Sequence, residues 1–315
     1  MSSAFPQNLL VYYGYLNSFN SATNGWNNEN VAMDMAKYDV CVFGDGVQAP
    51  AHPDYANSQI IIARLKSIKP DIKIFGYVTA NQTIGNFQTK TDQWDTLQIH
   101  GIFIDEAGYD YNVSRDDLNA RVQHIRSKTY ANKSFVNAWN MNHIVGVVND
   151  PSYPNATWNP SLHASLLDSR DIYMLESFAV NTDAYSGNSG YATQSDVLSR
   201  GNLAISNSST FGIKIATLGV IANASGTGQN LYNFSYNASL MFGADYAGTS
   251  DTGYGAGSAA VVFWKRPGTK HIGRTNSIVV VQSLSDSDVL VRFGDHSKVS
   301  VDFSTGAQTS SIQTW

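Results

Sequence analysis

Cys41 is the only cysteine in the 315 residues, so no intrachain disulfide and no cysteine-based metal cluster can form. Within the run VCVF it reads as a small buried hydrophobe. Charge is scarce as well: Asp, Glu, Lys and Arg make up 14% of the chain, and the net charge is -5. Such a chain offers no basic surface for a phosphate backbone, which argues against nucleic acid as a partner. No apolar run reaches the roughly 20 residues that cross a bilayer, so no membrane span is expected. The opening MSSAFPQNLLVYYGY lacks a basic region followed by a long apolar one, so no signal peptide is visible. The seven histidines show no ligand spacing, and the acids Asp105, Glu106, Asp110, Asp116 and Asp117 lack the spacing of an EF-hand. Neither a metal nor a cofactor is expected. Gly253-x-Gly255-x-Gly257 precedes no complete βαβ unit and reads as a loop, not a phosphate cradle.

Polarity comes instead from Asn, Ser, Thr, Gly and 17 Tyr, a composition suited to a neutral or cationic polar ligand such as a sugar. Eight N-x-S/T sequons begin at Asn81, Asn112, Asn132, Asn155, Asn207, Asn223, Asn233 and Asn237, and they permit glycosylation without requiring it.

Short, nearly continuous apolar runs recur at 9–16, 38–44, 73–79, 101–107, 134–140, 171–177, 213–219 and 244–250. Strands buried on both faces look like this, and the gaps between them fit βα units. Eight such units predict an α/β fold, a closed (β/α)8 TIM barrel. The segment 56–70 places Ile60, Ile61, Ala63, Leu65 and Ile68 roughly on one helical side, and 114–128 opens with Ser114 and two acids before Leu118, Val122 and Ile125. Weaker helical patterns lie at 193–206 and 230–243, and 145–165 reads as a long loop over the barrel mouth. After Trp264 the pattern changes to four short alternating runs with Ser, Asp and Gly turns. The expected division is therefore a barrel over 1–264, a linker at 265–268 and a small antiparallel β domain over 269–315.

In such a barrel the carboxyl ends of the strands face one mouth, where acids take on functional meaning. Asp105 and Glu106 end the fourth run and Glu176 ends the sixth, while Asp45 follows the second and Asp245 and Asp251 flank the eighth. Any single acid there can merely cap a helix or pair with arginine. Two carboxyls facing each other are what acid/base cleavage of a glycosidic bond needs. Tyr12, Tyr13, Tyr15, Tyr77, Tyr109 and Trp139 are placed to offer ring faces to a sugar, with Asn137, Asp45 and Asp245 to take its hydroxyls.

The strings GIFIDE and YMLESF, with GYV in KIFGYVT, HPDY at 52–55 and FVNAWN, resemble the spherulin-4-like glycosidases and the related endo-α-1,4-polygalactosaminidases. The resemblance spans about residues 9–250. It implies a barrel that cuts galactosamine-rich polysaccharide with Asp105, Glu106 and Glu176 as its acids; the roles expected of them are Asp105 as nucleophile or base, Glu176 as general acid and Glu106 orienting one of them or binding the substrate amine. Two stretches depart from the family: Asn137-Ala138-Trp139-Asn140 stands where Asn-Pro-Gly is common, and GDGVQ stands where Asn-Pro is usual. The expected partner is a polysaccharide or surface glycan, met outside the cell or on a virion. The alternative is a barrel of the same shape that binds glycan without cutting it, as an adhesin does.

Overall fold

The computed structural model describes residues 6–146, 150–182, 189–221, 228–250 and 261–264, with 282–283, 289–294, 297–302, 306 and 308–312. Its strands are β1 (Gln7–Tyr12), β2 (Val40–Phe43), β3 (Lys73–Thr79), β4 (Gly101–Asp105), β5 (Lys133–Asn137), β6 (Ile172–Thr182), β7 (Ser189–Tyr191), β8 (Lys214–Val220) and β9 (Tyr246–Ser250). All but β7 pair in parallel in the order β5-β4-β3-β2-β1-β9-β8-β6, and β5 pairs with β6 to close the ring. The short β7 runs antiparallel along the end of β6. This is the expected (β/α)8 barrel.

The helices are α1 (Ser21–Asn24), α2 (Asn28–Met35), α3 (Tyr55–Ile68), α4 (Ile84–Thr96), α5 (Arg115–Arg126), α6 (Asn155–Trp158), α7 (Gln194–Phe211) and α8 (Gly228–Met241). Their starts follow from local chemistry. Asn27, Thr83, Ser114 and Thr193 each accept a backbone N–H of the first turn, and Ser114 and Asp117 complete a capping box. The face of α3 differs from the expected one: Ile61, Ile62 and Leu65 are buried, whereas Ile60 and Ile68 reach solvent. Neither α2 nor α4 stood out in the sequence, because each buries only three residues against the barrel.

Two apolar compartments result. An outer one lies between strands and helices, and an inner one fills the barrel with alternate strand residues such as Leu9, Val42, Phe75, Phe103, Phe135 and Met174. Register arranges the inner residues in layers of four, because the pairing slips by two residues for every two strands around the ring. The lowest layer is Gln7, Lys73, Lys133 and Lys214, and apolar layers follow. Near the carboxyl end come Val11, Tyr77, Asn137 and Leu218, then Gly44, Asp105, Glu176 and Ser250.

In the C-terminal region, β10 (Gln282–Ser283), β11 (Val289–Gly294), β12 (Ser297–Asp302) and β13 (Gln308–Ile312) form a four-stranded antiparallel sheet in sequence order. Val301 is fully buried with the barrel's outer core. The expected linker at 265–268 and the glycine-rich stretch 253–257 lie outside the described residues. Among the described residues no helix is long and apolar enough to cross a membrane.

Candidate active site

Strand alternation builds the site. On β4 the inward series runs Phe103 then Asp105, on β5 Phe135 then Asn137, on β6 Met174 then Glu176, on β3 Phe75 then Tyr77, and on β1 Val11 followed, just past its end, by Tyr13. Each strand thus changes from apolar to polar as it leaves the packed interior. Asp105 and Glu176 share one layer, and Asn137, on the strand between them, lies one layer below. Its amide Nδ2 donates to Asp105 Oδ1 at 2.8 Å and to Glu176 Oε2 at 2.7 Å. Both oxygens sit on one nitrogen, so they are separated by at most the sum of those distances, 5.5 Å. The other two members of the acid layer, Gly44 and Ser250, are small and carry no acid. A Cβ on Gly44 would lie 2.6 Å from the Tyr13 Cα, so the backbones of β1 and β2 approach closely here because position 44 has no side chain.

Asp105 also accepts the backbone N–H of Glu106 at 2.9 Å and a hydrogen bond from the Tyr77 hydroxyl. Burial, followed by the charge of Glu176, pushes its pKa up to about 6 in spite of these donors. Tyr77 is held well above the ordinary phenol range by burial and by Asp105, so its hydroxyl stays a donor. Tyr13 meets Tyr77 edge to face, with ring centroids 5.2 Å apart. Glu106 adopts φ 54°, a left-handed conformation costly for a residue with a Cβ. Its carboxylate accepts the Thr79 hydroxyl at 2.7 Å. Glu106 therefore orients Asp105 through its backbone N–H, while its carboxylate faces the cleft.

Strand β6 is irregular just past Glu176. Ser177 and Ala179 have φ of 50° and 64°, and the register with β8 shifts between Glu176 and Asn181. Arg200 of α7 holds this turn: its Nη2 donates to the Glu176 carbonyl at 2.6 Å, and its guanidinium lies 4.0 Å from the Trp139 ring centre. Asp196 pairs with it at 3.4 Å. The resulting cleft of about 250 Å³ is lined by Tyr13, Asp105, Glu106, Asp110, Tyr111, Asn137, Ala138, Trp139, Glu176 and Arg200. Trp139 is 57% exposed and Tyr111 41%, so both present ring surface to solvent.

The structure brings together Asp105, Glu106, Glu176, Tyr13, Tyr77, Asn137 and Trp139. Two expected ligand contacts fall elsewhere. Asp45 lies past the end of β2 but outside the cleft lining, bound to Lys90 and, at 2.9 Å, to Gln48. Asp245 precedes β9 and so lies at the amino end of the barrel, where its carboxylate accepts the Ile215 N–H at 3.0 Å. The expectation that it faces the ligand is corrected by the direction of its strand. Conversely, Arg200 and Tyr111 line the cleft without having stood out in the sequence, and Asp110, weighed there only as part of an acid run without cation spacing, lines it too. Arg200 had one signal: it falls on the face of α7 that carries Val197, Gly201 and Ala204, all buried. Among the described residues no three His, Cys, Asp or Glu side chains are arranged so that they could hold a metal ion.

No family model matches the chain, and no curated protein does. Solved structures similar to it include a glycoside hydrolase family 5 protein from Bacteroides vulgatus, at 9% identity and TM-score 0.49, covering 94% of this chain and 76% of that one. An enolase-superfamily member from Agrobacterium tumefaciens has 12% identity and TM-score 0.39, covering 79% of this chain. A FabK variant from Thermotoga maritima has 13% identity and TM-score 0.38, covering 78% of this chain. This chain spans 50% of the length of the enolase-superfamily protein and 61% of that of the FabK variant. The class defined by the strand pairing and the mouth is a (β/α)8 barrel with an acid-lined cleft.

Proposed function

We propose that this protein is a glycoside hydrolase acting on a galactosamine-containing or related polysaccharide, with Asp105 and Glu176 as its reacting carboxyls. The observation that carries the reading is the pairing of these two acids on one amide, their nearest oxygens no more than 5.5 Å apart. Carboxyls about 5–5.5 Å apart suit a retaining reaction, and wider gaps are needed to seat the water of an inverting one. Asp105, which receives three hydrogen bonds to its ionised form, attacks the anomeric carbon. Glu176 gives its proton to the departing glycosidic oxygen, and the bond from carbon to that oxygen breaks. Water then attacks the glycosyl ester, Glu176 takes a proton from it, and Asp105 leaves as a carboxylate. Tyr77 and Asn137 hold Asp105 in place throughout.

The lining of the cleft supports an amino sugar. Besides Glu176, the proton donor, three carboxylates, those of Asp105, Glu106 and Asp110, face it, and Arg200 is already engaged by the Glu176 carbonyl, Asp196 and Trp139. A protonated amine gains from such a field. Trp139 and Tyr111 supply exposed rings on which sugar faces stack. The same rings favour the second reading, a barrel that binds glycan without cutting it, carried outside the cell or on a virion. Partially acetylated galactosaminogalactan and a glycan panel separate the two: reducing ends that appear with retained anomeric configuration support the hydrolase, and saturable binding with no release supports the adhesin.

A further inference from the structure

The floor of the barrel is chemically unlike its mouth. Its lowest layer holds three lysines and a glutamine, taken from every second strand: Gln7, Lys73, Lys133 and Lys214. All four are half-buried. Lys73 reaches across from β3 to the Tyr246 hydroxyl on β9 at 2.8 Å, passing 3.4 Å from Gln7 Oε1, so its ammonium lies over the barrel interior. Because Gln7 Oε1 faces that ammonium, its Nε2 is left to donate elsewhere.

Among the described residues no carboxylate forms an ion pair with a lysine of this layer: the lysine ion pairs are those of Lys37, Lys69, Lys90 and Lys128. The acids that act on Lys73 from a distance are Asp245, Asp39 and Asp71. Asp39, and Asp171 at the start of the strand between those of Lys133 and Lys214, are paired with Lys69 and Arg126 respectively, while Asp245 accepts the Ile215 N–H and keeps its charge. Nearby, His100 packs edge-on against Phe75 with ring centroids 5.4 Å apart. Burial and then the three lysines push its pKa down to about 4, so it adds no charge at neutral pH. Three half-buried like charges in one layer repel, and an anion between them removes that cost.

We propose that the barrel floor binds a tetrahedral oxyanion, phosphate or sulfate, free or as an ester group on a larger molecule, on Lys73, Lys133, Lys214 and the Gln7 amide. This site lies at the opposite end of the barrel from Asp105 and Glu176 and does not depend on their chemistry. Calorimetric titration of the full chain with inorganic phosphate, at ionic strength matched with sodium chloride, should give one saturable site. The double substitution Lys133→Gln with Lys214→Gln should weaken it at least about tenfold, leaving glycan hydrolysis or binding unchanged. A second measurement needs wild type alone: its thermal midpoint should be higher in phosphate than in chloride of equal ionic strength. Methyl phosphate distinguishes the sources, since binding of both ligands marks a site open to an esterified group, and binding of phosphate alone an enclosed ion site. Wild type without saturable binding of phosphate, or a double variant that binds it as tightly as wild type, overturns the proposal.

Discussion

Asp105 accepts from an amide, a phenol and a backbone N–H, yet burial and the neighbouring charge of Glu176 keep its proton on up to about pH 6. If it attacks as a carboxylate, kcat/KM should rise with pH through about 6. A rate that instead falls through that value would assign Asp105 the acid's role. Asp105→Asn and Glu176→Gln change almost no volume, and each should cut hydrolysis by about 10²-fold or more while sparing glycan binding, measured by reducing-end release and calorimetry. Asn137→Ala removes a hydrogen bond that lowers the Asp105 pKa, so the acidic limb of the rate profile should move to higher pH. A merely structural asparagine would leave that limb where it was. Stability runs the opposite way with pH. The folded pKa lies above the unfolded value of about 3.9, so the contribution of Asp105 to stability is fully present below that value and is lost as pH rises through about 6. Asp105→Asn should therefore show a larger gain in thermal midpoint at pH 8 than at pH 4. Equal shifts at the two pH values would contradict this.

The elements show which features of a sequence can be read without a structure. All eight barrel strands were legible as apolar runs because they are buried on both faces. Asp105 and Glu176 were legible because each follows such a run directly. What misled at Asp245 was strand direction: an acid before a run and an acid after it look alike in sequence but stand at opposite ends of the barrel. Arg200 could not be assigned to the cleft because its partners, the Glu176 carbonyl and Trp139, come from β6 and the loop after β5. The turn it secures also stores strain. Ala179 is buried with φ 64°, a conformation costing about 1–2 kcal/mol for a residue with a Cβ. Ala179→Gly should be neutral or stabilising in urea unfolding, whereas a buried alanine in ordinary strand geometry would lose stability on the same change. A loss above about 1 kcal/mol would show that the methyl's packing outweighs its strain.

Across the whole molecule, the antiparallel sheet of the C-terminal region contributes Val301 to the barrel's outer core, while the described cleft residues all come from the barrel. Removal of residues 269–315 should uncover apolar surface and lower solubility or thermal midpoint, and the chain that still folds should hydrolyse or bind glycan as before. A soluble, folded truncation without activity would show that the tail shapes the site. The inward-facing charges are sorted along the barrel, with Asp105 and Glu176 at one end and Lys73, Lys133 and Lys214 at the other. Along the barrel axis a cationic group is therefore drawn to the acid end and repelled from the lysine end, and an anionic group the reverse.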